Sequence, residues 1–174
     1  MRDWPCGLSI VGRAPTPAVR KLMENPDAGI QVTGRVDDVR PYMRDASVYV
    51  VPLRIGGGTR LKIFEAMAMG KAVVSTTVGA EGLPIVPGEH LLIADEPHTF
   101  ARAVVRLMRD ADRRERLGAA ARALVVARYD WSAVAGSLED ALTRFAIGQA
   151  RGEREVSHVG RAAPVEARAS GRWS

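Results

Sequence analysis

The sequence predicts an α/β fold in which a doubly wound parallel sheet carries helices on both faces. Short apolar, β-branched runs alternate with segments of helical spacing along most of the 174 residues. The runs are continuous rather than alternating, as in strands buried on both faces, and most end at glycine or proline. Strand–helix–strand units of this kind pair in parallel through right-handed crossovers, which gives the doubly wound arrangement.

The first part of the chain contains two strand–helix units. The run Leu8-Ser9-Ile10-Val11 ends at Gly12-Arg13 and precedes a helical segment, Ala18 to Glu24. A second run, Ile30 to Thr33, ends at Gly34, and a short helix then opens at Pro41-Tyr42-Met43 after the capping pair Asp37-Asp38.

Three further strands complete a predicted sheet of five. They are Val48–Val51, Ala72–Ser75 and Leu91–Ile93. A glycine loop and a helix from Leu61 to Met69 follow the first of them, and Gly70 ends that helix. Within it, the predicted core-facing residues are Leu61, Phe64, Ala68 and Met69.

Helical spacing dominates the last part of the folded chain. Helices are predicted over residues 97–109, 113–127 and 131–145. Asp95 is the predicted cap of the first of them. We therefore expect one globular domain over residues 1–148. Residues 149–174 are polar, aperiodic and rich in Arg, Ala, Gly and Ser, so we expect a disordered tail.

Composition excludes several classes of function. No apolar stretch approaches the eighteen or so residues needed to span a bilayer, and no secretory signal precedes Cys6, so we expect a cytoplasmic protein. The net charge of +5 comes without clustered basic faces and interleaved aromatic residues, which disfavours nucleic-acid binding. The single cysteine makes neither an internal disulfide nor a metal site.

The loop Gly56-Gly57-Gly58-Thr59-Arg60 suits a diphosphate. Glycines let a ligand approach backbone N–H groups, the following helix adds its positive end, and Arg60 and Lys62 add charge. Alternatively, the loop is only a flexible surface turn with two solvated bases.

Glu65 lies in an otherwise apolar helix. If it were buried it would need hydrogen-bond donors such as a ribose diol; otherwise it faces solvent or pairs with Lys62 or Lys71. His90 and His98 have no carboxylate or hydroxyl partner at recognisable spacing, so they are interpreted as turn and surface residues. Ligands of doubly wound sheets bind beyond the carboxyl ends of strands, where Gly12-Arg13, Gly34-Arg35-Val36 and the glycine loop are expected to meet.

The string from Gly57 to Thr76, Gly-Gly-Thr-Arg-Leu-Lys-Ile-Phe-Glu-Ala-Met-Ala-Met-Gly-Lys-Ala-Val-Val-Ser-Thr, resembles the family-4 glycosyltransferases of GT-B architecture. The resemblance covers about residues 8–146 and includes Ile10–Arg13, Val32–Asp38, Gly79–Leu83 and Tyr129–Trp131. It implies two facing Rossmann-like lobes, of which this chain resembles the C-terminal lobe that holds a nucleotide-diphosphate sugar.

The resemblance also implies roles for single residues. Glu65 would hold the donor ribose, and Gly57, Gly58, Thr59, Arg60 and Leu61 would line the diphosphate and sugar. Gly34, Arg35 and Val36 would border the base, and Gly12 and Arg13 would lie near the nucleotide. No metal and no other cofactor is expected, since basic residues and helix ends stabilise the leaving group in such enzymes.

The chain departs from the family pattern at two points. Gly57 replaces the first of two glutamates spaced eight apart, which leaves sugar selection open. The strand and helix that carry a phosphate-binding Arg and Lys are not found before Leu8, and the acceptor lobe is absent. A complete enzyme of this type would transfer sugar with retention to an acceptor hydroxyl, in polysaccharide or glycolipid assembly, and is compatible with peripheral membrane association.

Three readings of the chain itself remain open: a transferase that needs a separate acceptor lobe, a non-catalytic nucleotide-sugar-binding fragment or subunit, and a non-functional remnant. A nicotinamide-dependent enzyme is disfavoured because the first strand lacks Gly-x-Gly-x-x-Gly and the acidic residue that follows it in that fingerprint.

Overall fold

The computed structural model describes residues 6–56, 60–132 and 134–145. The chain divides into two compact units, residues 1–127 and residues 128–174. The predicted disordered tail, 149–174, and glycine-loop residues 57–59 lie outside the described residues.

A two-stranded parallel sheet opens the first unit. Strands β1 (Leu8–Val11) and β2 (Ile30–Gly34) pair with Leu8 opposite Ile30. Helix α1 (Pro17–Arg20), capped by Thr16, joins them, and the predicted helix continues to Glu24 only as a 3₁₀ turn. After β2 comes the short helix α2 (Arg40–Asp45), where the Asp38 carboxylate accepts from Arg40 N at 2.9 Å.

A three-stranded parallel sheet forms the rest of the first unit's strand structure. Its order is β3 (Val48–Val51), β4 (Ala72–Ser75) and β5 (Leu92–Ile93). Helix α3 (Leu61–Ala68) connects β3 to β4 and is followed by Gly70, whose φ of +68° favours glycine. A four-residue helix, α4 (Thr77–Ala80), follows β4 and was not predicted from the sequence.

The five predicted strands therefore form two sheets instead of one. The observed orders are β2-β1 and β3-β4-β5. They match the doubly wound order 3-2-1-4-5-6 without its strand 1, if β1 to β5 correspond to strands 2 to 6 of that order. None of the described residues supplies a strand that pairs with both β1 and β3. The α/β class is confirmed, but the single five-stranded sheet is wrong for this part of the chain.

Helices cover both faces of the three-stranded sheet. On one face Val73 packs with Ile63, Ala66 and Met67 of α3. On the other, a second cluster consists of Ala72, Val74, Leu107 and Leu117. Because successive side chains of a strand point to opposite faces, β4 is buried on both sides, as its continuous apolar run predicted.

The predicted core face of α3 is rotated from the observed one. Leu61 is 60% exposed, whereas Ile63, Ala66 and Met67 are buried. Phe64, Ala68 and Met69 do pack against the core as predicted. Ile63 lies in the same first turn as Leu61, so the error is in which face of the helix meets the core and not in how many turns reach it.

Two long helices follow β5. Helix α5 (Pro97–Arg109) has the predicted bounds, and helix α6 (Ala111–Tyr129) is slightly longer than predicted. Asp95 does not cap α5, contrary to the prediction. Its carboxylate instead accepts from the backbone N and the hydroxyl of Thr77, both at 2.7 Å, at the start of α4.

The second unit is helical over residues 131–132 and 134–145, in agreement with the predicted last helix. Its first turn is held by a bond from Val134 N to the Asp130 carbonyl at 3.0 Å. The large apolar side chains on it are exposed: Trp131, Val134, Leu138, Leu142 and Phe145.

Candidate functional site

The ends of β1 and β2 are joined directly. Gly12 N donates to the Gly34 carbonyl at 3.2 Å, and the Thr33 hydroxyl donates to the same oxygen at 3.0 Å. Gly34 has a φ of +72°, which favours glycine at this turn. The predicted pairing of these two segments is therefore observed.

The side chains around this junction face outward. Arg13 and Arg35 are exposed and Val36 is half-buried, so the edge offers two guanidinium groups and a small apolar surface. Ala14 has a φ of +52°, which is uncommon for a residue with a side chain and which nothing in the sequence indicated.

The loops that follow β3 and β4 are tied together by Thr76. Its hydroxyl donates to the Leu53 carbonyl and accepts from Gly79 N at 3.0 Å, which caps α4. Gly79 packs so closely that a Cβ there would collide with the Ser75 hydroxyl. These contacts hold residues 76–81, which include α4, against the loop that follows β3.

Arg60 joins the same two loops through its side chain. Nη2 donates to the Val78 carbonyl at 2.8 Å and to the Gly56 carbonyl and Glu81 Oε2, both at 3.3 Å. The side chain is only 9% exposed, and Nε is buried with no hydrogen-bond partner among the described residues. Arg60, which was predicted to bind the diphosphate, is thus engaged mainly in internal contacts.

Helix α3 begins beside this guanidinium group. The Arg60 carbonyl accepts from Ile63 N at 2.9 Å and from Phe64 N at 3.3 Å, which closes the first turn. The first N–H groups of a helix have no acceptor within it and carry a partial positive charge. Leu61 and Lys62, both exposed, therefore start a helix that is suited to an anion.

Glu65 lies on the exposed side of α3, not in the core. Lys71 does not pair with it, because Lys71 Nζ donates to the Arg44 and Ala46 carbonyls. Among the described residues, Glu65 has no ion pair or hydrogen bond through its carboxylate. It is close enough to Tyr49 that burial of the phenol first, and repulsion from Glu65 second, raise the pKa of Tyr49.

A depression at the carboxyl ends of β3, β4 and β5 was not predicted. Pro52, Arg54, Thr76, Asp95 and Phe100 contribute to its lining. Arg54 and Asp95 are its charged lining residues, and hydrogen bonds from Thr77 hold the pKa of Asp95 below its ordinary value. The polar residues near it in sequence are Thr76, directly after β4, and Asp95, two residues after β5.

The two described histidines behave as turn and surface residues. His90 Nδ1 accepts from Val86 N at 3.0 Å and closes the turn before β5, and His98 is exposed on α5. Among the described residues, no helix combines the length and the apolar character needed to cross a membrane.

Comparison with known proteins settles the family. The model of the family described as "Glycosyl transferases group 1" matches residues 2–110, which include both sheets, α3 and α5. The chain belongs to the group 1 glycosyl transferases. A phosphatidyl-myo-inositol mannosyltransferase of Mycobacterium leprae is 37% identical over 135 residues, a match that covers 75% of this chain and 36% of that relative. The chain thus spans about a third of its relative's length.

Two solved structures share the fold. HepE of Anabaena, crystallised in complex with UDP, has a TM-score of 0.65 at 17% identity, covering 81% of this chain and 42% of that one. The C-terminal domain of LpcC, a group 1 family protein of Francisella tularensis, has a TM-score of 0.57 at 20% identity over 72% of this chain and 86% of that domain. The predicted GT-B architecture is confirmed.

Proposed function

We propose that the chain is the donor-binding lobe of a glycosyl transferase, and that it holds a nucleotide-diphosphate sugar at the carboxyl ends of β1, β2 and β3. The observation that carries this proposal is Glu65, an exposed carboxylate one turn into the helix that follows the glycine loop, with no ion pair or hydrogen bond to any residue that the structure describes. A carboxylate there can accept hydrogen bonds from both hydroxyls of a ribose.

The start of α3 suits the diphosphate. Its first N–H groups and the neighbouring Lys62 ammonium provide positive charge one turn before Glu65, so an anion at the helix end and a diol at the carboxylate fit one extended ligand. The proposal needs no metal, because N–H groups and basic side chains meet the charge.

The ends of β1 and β2 suit the rest of the nucleotide. The Gly12–Gly34 junction provides a glycine-lined surface, and Arg35 and Val36 follow it. We propose that the base lies against Gly34–Val36 and that Gly12 and Arg13 lie near the nucleotide. Similarity to a domain excised from a group 1 family protein supports the assignment to a C-terminal lobe.

In a complete enzyme the proposed reaction transfers the sugar to an acceptor hydroxyl with retention. As the bond to the sugar breaks, charge develops on the diphosphate, and groups preorganised around that charge lower the barrier. GDP-mannose is the first donor to test because the relative from Mycobacterium leprae is a mannosyltransferase. UDP donors come second, because HepE was crystallised with UDP.

The test is calorimetric titration of the chain with GDP, UDP, GDP-mannose and UDP-glucose. Glu65→Ala should weaken binding about tenfold or more, since a hydrogen-bonded charge is lost. Glu115→Ala removes an exposed helical carboxylate from α6 and serves as the matched control, with no change expected. A folded chain that binds none of the four ligands, or a Glu65→Ala variant with unchanged affinity, would contradict the proposal.

The alternative is a nucleotide-sugar-binding subunit without catalytic activity. Incubating the chain with its bound donor and a separately produced acceptor lobe of a related enzyme separates the two. Sugar transfer, or donor hydrolysis above background, favours the transferase; donor binding without turnover favours the subunit.

A further inference from the structure

We propose that Arg60 is a positioning residue that clamps the amino end of α3 to the carboxyl end of α4, with Glu81 as its anionic partner. The clamp itself is formed by contacts within the chain. Its effect on a ligand rests on the proposed function, since α3 is the helix assigned to the diphosphate and ribose.

The clamp uses one nitrogen of the guanidinium group. A single nitrogen, Nη2, reaches the carbonyls of Gly56 and Val78 and the carboxylate of Glu81. Val78 lies in α4 and Glu81 directly follows it, while Arg60 directly precedes α3. One side chain therefore connects two helix ends that are 18 or more residues apart in sequence.

Burial and charge favour this internal role. The Arg60 side chain is 9% exposed and the Glu81 side chain 74% exposed, so the pair lies with its cation inside and its anion at the surface. A buried charge is tolerated only when polar groups surround it, and the two carbonyls add to the single carboxylate in meeting that requirement. A lysine ammonium lies one bond nearer the backbone than Nη2 does, so Arg60→Lys keeps the charge but draws it away from these three acceptors.

The burial of the Arg60 side chain, which is 9% exposed, separates this role from direct contact with a ligand. Nε is buried, so a phosphate oxygen reaches it only after the side chain moves, and the movement would break contacts of Nη2. Arg60 therefore acts on a ligand through the placement of α3. Direct binding to phosphate is the competing role that the experiment must distinguish.

The experiment is a double-mutant cycle on the full chain with Arg60→Lys, Glu81→Ala and the double variant. Two readouts are taken: amide hydrogen exchange at Ile63 and Phe64 without ligand, and the Kd for GDP and for UDP. Ile63 and Phe64 donate to the Arg60 carbonyl, so their exchange reports the first turn of α3. Arg114→Lys is the matched control, because Arg114 Nη1 also donates to two carbonyls, those of Leu107 and Met108 at 2.7 and 2.8 Å.

The clamp predicts that each single variant speeds exchange at Ile63 and Phe64 and weakens nucleotide binding about three- to tenfold, with the double variant no worse than Arg60→Lys. Arg114→Lys should change neither readout. The proposal is overturned if Glu81→Ala leaves exchange unchanged, or if the two substitutions add independently. It is also overturned if Arg60→Lys weakens binding while exchange stays at the wild-type rate. That result would indicate that Arg60 contacts the nucleotide directly.

Failure of the proposed function has a different signature. If the wild-type chain binds neither GDP nor UDP, the donor site is contradicted, while the exchange rates of the same four proteins still decide whether Arg60 and Glu81 form the clamp. If Arg60→Lys does not fold, the Glu81→Ala variant decides it by the same exchange readout.

Discussion

One strand of each sheet, β1 and β4, has a short apolar sequence, but the two strands have very different surroundings. β1 (Leu-Ser-Ile-Val) and β4 (Ala-Val-Val-Ser) are both four-residue, apolar and parallel, yet all four residues of β4 are buried and none of β1 is. Leu8 of β1 is 40% exposed, whereas Val73 and Val74 of β4 are inaccessible. An apolar run therefore predicts a strand, but the neighbouring elements determine how deeply that strand is buried.

The neighbours of β4 are present on every side. β3 and β5 pair with its two edges, α3 lies on one face, and residues of α5 and α6 lie on the other. Among the described residues β1 pairs only with β2, so its other edge offers unpaired backbone groups. The stability of the first unit should accordingly depend mainly on the three-stranded sheet.

The largest expected effect is a core truncation beside β4. Leu107→Ala removes a fully buried side chain that packs with Ala72 and Val74 and should cost about 3 kcal/mol. The matched change Leu8→Ala in β1 should cost about 1 kcal/mol or less, because much of that side chain already meets water. Urea unfolding of both variants measures the difference; equal losses would mean that the two sheets are equally consolidated.

A smaller effect is expected where α6 approaches the end of α3. Gly118 lies so close to Gly70 that a Cβ on residue 118 would collide with the Gly70 carbonyl. Gly118→Ala should therefore destabilise by about 2 kcal/mol, although alanine is the better helix former. The control is Gly136→Ala, another helical glycine with open space around it, which should leave stability unchanged or raise it. Stabilisation by Gly118→Ala would show that the helix is free to shift.

The smallest effect concerns pH. Thr77 holds the pKa of Asp95 below its ordinary value in the folded chain, so the carboxylate contributes stability above the unfolded pKa of about 4. That contribution is lost as the pH falls through the folded pKa. Asp95→Asn should lower the Tm at pH 7 and narrow its difference from wild type near pH 3. A difference between the two proteins that is the same at both pH values would contradict the assigned bond.

Much of this architecture was predictable from sequence because strand signals here are local. The bounds of β1, β3, β4 and α5 follow from apolar runs, glycines and prolines. The pairing of strands was not predictable in the same way, since it depends on which segments meet in space. The five strands therefore appear in the predicted places but in two sheets.

The site shows the same division. Sequence placed Glu65 on the helix after the glycine loop but left its exposure open, and the structure shows it exposed. Sequence assigned Arg60 to the diphosphate from its charge and from the family resemblance. The contacts with Val78 and Glu81 were not predictable because they join residues 18 and 21 positions away across a strand. Asp95 was assigned to the nearest helix in sequence, and it bonds to one that the sequence did not reveal.

We propose that a single nucleotide-diphosphate ligand binds the loop ends of both sheets. Backbone amide NMR of the labelled chain, titrated with GDP and with UDP, tests this proposal. We expect chemical-shift changes both at residues 60–65 and at residues 34–36, saturating at the same ligand concentration. Changes confined to α5 and α6, or different saturation curves for the two segments, would contradict it.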